Sequence, residues 1–116
     1  MTPSQKLHKQ TLRQQREIVL AESRTTPPKT LARLALRRDF IVAYCVANNH
    51  SAPSEALSHL AKSHDGAIRS AVANNWSTPA ETLLILITDS APNIARDAEK
   101  TLNESAKKHT MSPLCP

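Results

Sequence analysis

The chain has 116 residues with 15 Lys/Arg, 10 Asp/Glu, a net charge of +5 and 40% hydrophobic residues. A single Gly, and one each of Phe, Tyr and Trp, exclude a hairpin-rich fold and leave an aliphatic core of single-domain size. No apolar run approaches the roughly 20 residues of a membrane span, and "MTPSQKLHKQTLRQQRE" lacks the apolar middle of a signal peptide, so a soluble, cytoplasmic protein is expected.

Residues 1–38 hold nine Lys/Arg against Glu17 and Glu22, or +7, whereas the remainder holds six against eight, or −2. Arg13, Arg16, Lys29, Arg33, Arg37 and Arg38, extended by Arg69, form the basic surface that a polyanion would meet. Within residues 1–25, "TPSQKL" at 2–7 resembles "TPPKTL" at 26–31, and "VLAESRTTP" matches "CVANNHSAP" position for position. This segment reads as a degenerate first repeat or N-terminal cap.

Three fuller units follow, at 26–51, 52–77 and 78–103. A shift of 26 aligns Thr26-Pro27 with Ala52-Pro53 and Thr78-Pro79, Leu31 with Leu57 and Leu83, and Leu34 with Leu60 and Leu86. Each unit predicts a first helix, near 28–37, 53–63 and 79–88, with Pro at its first position and one buried Leu stripe. Thr78 and Glu81 have the spacing of a capping box. A shorter second helix is predicted near 40–47, 67–73 and 93–103, with Asp39 and Asp65 placed to cap. Asn48-Asn49 and Asn74-Asn75 are expected to stop helices through the left-handed conformation that Asn tolerates. Trp76 is expected to staple the turn that follows. Self-similarity at a fixed period predicts an all-α fold, a short α-solenoid of three to four paired-helix repeats without β-sheet.

The stretch "VANNHSAPSEALSHLAKSHDGAIRSAVANNWSTPAETLLILITDS" resembles the leucine-rich repeat variant family, a bacterial array of short paired helices related in style to HEAT-like solenoids. The likeness covers roughly residues 16–103 and rests on the Ala-x-Asn turn, the Thr-Pro start, the Leu-x-x-Leu-Ala stripe and Ile68-Arg69. It implies a right-handed superhelix. Some relatives carry a cysteine-ligated iron–sulfur module ahead of the repeats, but no cysteine precedes Cys45, so no cofactor is expected.

Candidate chemistry is sparse. With one Gly there is no phosphate-cradling loop, and no Ser stands in a nucleophile elbow. No catalytic residues and no small-molecule substrate are assigned. His59 and His64, five apart, do not share a helix face, so no metal site is expected. Cys45 reads as a small buried hydrophobe and Cys115 as exposed in a Pro-flanked tail. "LLILI" at 83–87 is apolar all round; Leu84 and Ile85 are surplus to the core stripe. They mark a partner surface unless the tail, 104–116, folds over them. The expected function is therefore non-catalytic: binding of a protein partner or self-association, with duplex nucleic-acid backbone binding as the alternative. An enzyme acting on nucleic acid is a distant third.

Overall fold

The computed structural model describes the backbone of residues 3–110 and the side chains of residues 11–106. The described residues form α1 (Pro3–Glu22), α2 (Pro28–Ala35), α3 (Phe40–Ala47), α4 (Ser54–Leu60), α5 (Gly66–Asn74), α6 (Ala80–Leu86) and α7 (Pro92–Thr110), with no strand among them. The helices lie in two rows. In one, α1 packs on α3, α3 on α5 and α5 on α7; in the other, α2 packs on α4. Ser58 of α4 meets Thr82 of α6, hydroxyl to hydroxyl, at 3.0 Å. Leu31, Leu57 and Leu83, fully buried, share one core with Val42, Val46, Val72, Ile94 and Ala98. The result is elongated, 68 × 32 × 16 Å with a radius of gyration of 16.5 Å, against about 13 Å for a compact domain of this length.

Local chemistry sets where helices begin. Asp39 Oδ1 accepts from Ile41 N and Val42 N at 2.9 and 3.3 Å, and Asp65 Oδ1 accepts from Ala67 N at 2.9 Å, so both aspartates cap as expected. The prolines sit one position earlier than expected. Pro27, Pro53 and Pro79 are N-caps in extended conformation, and their carbonyls accept the first helical bonds, from Leu31, Leu57 and Leu83. Thr78 builds no capping box. Its hydroxyl donates backwards to Val72 O at 2.7 Å, as Thr26 donates to Leu20 O at 2.6 Å.

The helix stops differ from expectation too. No described residue has a positive φ, and Asn48 and Asn75 have φ of −88° and −86°. The second Asn of each pair instead turns inward. Buried Asn49 donates its amide to Ala21 O and Ser23 O, both at 2.8 Å. Asn75, 26 residues later, donates to Ala47 O and Asn49 O at 2.8 and 3.1 Å. At the next such position, Thr101 donates to Ala73 O at 2.6 Å. Buried carbonyls left over where the chain turns are thereby satisfied by the following turn.

Both ends depart from the helix-pair pattern. Residues 3–22 are one continuous helix, because Arg13 stands 26 residues before Asp39 and cannot accept backbone N–H groups. At the other end Lys100-Thr101 replaces the Asn pair, and α7 runs past 103 to Thr110 without a break.

Candidate interaction surfaces

Leu84 and Ile85 are 56% and 61% exposed on α6, as their surplus to the stripe predicts. Their directions differ. Leu84 stands 26 residues after Ser58, whose hydroxyl meets the next helix of its row, and 52 after Ala32, which packs on the core. On α6 the same position has no following helix of that row among the described residues. Ile85 stands 26 after His59, which lines a groove toward the preceding helix. Residues 104–110 continue α7; Met111, Leu114 and Cys115 lie outside the described residues.

The expected basic surface divides. Arg13, Arg16, Lys29, Arg33 and Arg38 are exposed. Arg37 is tied to Glu17, Nε to Oε2, at 2.8 Å. Arg69 leaves the surface set altogether: Nε donates to Asp89 Oδ2 at 2.8 Å, and Nη1 to Ser63 O and His64 O at 2.9 and 3.1 Å. Its charge serves the turns it joins. That guanidinium, foremost through its hydrogen bond, holds the Asp89 carboxyl below the usual carboxylate range, against the opposing effect of burial.

Two shallow concavities adjoin along the edge formed by the turns 36–39 and 61–65. One, of about 550 Å³, is lined by Arg37, Arg38, Phe40, His59, Lys62 and His64, among others. The other, of about 490 Å³, shares Arg37 and Arg38 and adds Arg13 and Leu36. His59 and His64, distant on a helical wheel, thus share one groove because the chain turns between them. Among the described residues no group of three His, Cys, Asp or Glu is placed to hold a metal ion.

All three aromatic side chains are at the surface. Phe40 and Tyr44 stack with ring centroids 5.8 Å apart, and both are partly exposed. Trp76, 64% exposed, stacks face to face on His50 of the preceding turn at 3.9 Å, so it bridges two turns without being buried over either. The sequence carried one unused signal for this: a chain with three aromatics has an aliphatic core without them. A further apolar stripe, Leu12, Val19 and Leu20, lies exposed on α1. Cys45 is half-buried where a buried hydrophobe was expected. Its Sγ donates to Glu22 Oε1 at 3.6 Å, and burial, with Glu22 adding, raises the thiol above its ordinary range.

No family model matches the chain, and no curated protein or solved structure matches it either.

Proposed function

We propose that this chain is a non-catalytic interaction module: a short right-handed α-solenoid of paired-helix units with a 26-residue period, resembling the leucine-rich repeat variant arrays. It holds a protein partner, with a second copy of itself the first candidate. The observation that carries this reading is the exposure of Leu84 and Ile85 on α6. Adjacent large apolar side chains left in water are the mark of a contact surface. Leu84 occupies the position through which Ser58 meets the next helix, so a partner there continues the row as another helix would. The period is supported by hydrogen bonds that recur at offsets of 26 and 28 residues, from Asn49, Asn75 and Thr101.

The test replaces Leu84 by Glu and Ile85 by Lys. Sedimentation of the wild-type chain should show concentration-dependent association that the double variant lacks. Surface changes alter stability by about 0.5 kcal/mol, so its melting should stay cooperative and nearly unmoved. A variant that melts much earlier and associates as before overturns the reading and makes both side chains core.

A further inference from the structure

The edge formed by the turns 36–39 and 61–65 collects features that the α6 surface does not use. Arg38 and Lys62 project into one open groove of about 550 Å³, with His59 and His64 beside them. Arg13 lies in the adjoining concavity on the α1 side. Arg13, Arg38 and Lys62 are exposed and form no ion pair among the described residues. The carboxylates of this edge are already engaged. Asp39 accepts from two N–H groups of α3 and from Gln14 Nε2 at 2.8 Å; Asp65 accepts from Ala67 N; Glu17 holds Arg37. Each capping aspartate is opposed by the positive end of the helix it caps. The free cations therefore dominate the groove.

The same groove has an aromatic wall. Phe40 is 45% exposed and backed by Tyr44, which fixes the ring at no cost in core packing. A chain that keeps a phenyl ring in water beside unpaired cations presents both parts of a single-strand site: charge for phosphates and a π-face for a base. A duplex offers phosphates but no free base face to such a ring. Neighbouring packed helices lie about 8–10 Å apart, so Arg13, Arg38 and Lys62 fall on successive steps along the edge, which suits a polymer better than a free nucleotide.

We propose that this edge binds single-stranded nucleic acid, with phosphates on Arg13, Arg38 and Lys62 and one base stacked on Phe40. The surface is separate from Leu84 and Ile85, so either proposal stands without the other.

Fluorescence anisotropy with a labelled oligothymidylate of about 12 nucleotides, within the usual site sizes, tests it at low salt beside a duplex of equal length. The single strand should bind more tightly. Phe40→Ala should weaken it roughly 5- to 160-fold, the range for loss of one stacked base, and leave duplex binding unchanged. Arg38→Glu with Lys62→Glu should weaken it at least as much and flatten the log–log salt slope by about 1.4, as two lost single-strand phosphate contacts require. Lys29→Glu with Arg33→Glu makes the same charge change away from the groove and should have little effect. The Leu84→Glu, Ile85→Lys variant should bind as wild type does. Circular dichroism of each variant establishes that it is folded. No binding at low salt, a preference for duplex with Phe40→Ala silent, or equal losses from both charge reversals overturns the proposal.

Discussion

At Asn75 every polar atom of one side chain is committed. The residue is 2% exposed. Both amide protons go to carbonyls, Ala47 O and Asn49 O, while Oδ1 accepts from Ser77 N at 2.9 Å and meets His50 Nδ1 at 3.0 Å. Since Oδ1 only accepts, His50 Nδ1 is the donor. The arrangement explains why Asn, rather than any residue tolerant of a left-handed turn, is required: only a side-chain amide donates twice and accepts at the same point. Asn49 O keeps Ala52 N as a donor at 3.0 Å, but Asn75→Ala takes the side-chain partner from Ala47 O and from Ser77 N. At about 1–3 kcal/mol for each group unsatisfied, urea unfolding should show a loss of roughly 2–4 kcal/mol. Asn75→Asp should cost more at neutral pH, because a carboxylate then faces two carbonyls. Burial and those carbonyls raise its pKa in the folded state, so the folded protein binds the extra proton. The stability of this variant should accordingly fall as pH rises through the ordinary carboxylate range, and a profile that is flat there would show that the side chain has swung out to water.

At the scale of the element, α5 is tied to the turn before α7 by Arg69 and Asp89, with Asp89 Oδ1 also accepting from Ala91 N at 2.9 Å. Because Asp89 titrates below the usual range when folded, its contribution to stability is complete above the unfolded carboxylate range. It is lost as pH falls through the lower, folded value. Asp89→Asn should reduce the neutral-pH melting temperature and shrink the drop between neutral and acid pH; an unchanged drop would assign acid sensitivity to other carboxylates. Arg69 also shows where sequence reading reaches its limit. Its place beside Ile68 was legible, but its partner is 20 residues away, across a turn whose path no local pattern specifies. The Leu stripes and the capping aspartates were legible because they depend on spacing within a single turn or helix. The ends were not: an aligned "TPSQKL" hid the fact that nothing between Pro3 and Glu22 interrupts a helix. The groove with Phe40, His59 and Lys62 was equally hidden, since its walls come from two turns about 26 residues apart.

Taken whole, the molecule depends on each element being completed by the one before it. α1 and the turn after it supply acceptors to Asn49 through Ala21 O and Ser23 O, and α1 one to Thr26 through Leu20 O; its Glu22 accepts from Cys45, and its Gln14 donates to Asp39. Deleting residues 1–24 would remove the helix on which α3 packs, with Val42 and Val46 fully buried in that row. Uncovering two such side chains costs roughly 3–6 kcal/mol, much of the 5–15 kcal/mol that holds a typical domain. The shortened chain should therefore lose its cooperative melting transition, whereas one ending at residue 106 should keep it. The side-chain hydrogen bonds from Asn49, Asn75 and Thr101 to the preceding turn span 26 or 28 positions. Such short loops are closed quickly, and their direction matters for a chain that emerges from the ribosome N-terminus first. The acceptors that Asn49 and Asn75 require are already made when each Asn arrives. At about 5–20 residues per second, a further 26 residues are synthesised in roughly 1–5 s, so each helix pair meets a finished neighbour and the apolar face it covers is left waiting in water for only that interval.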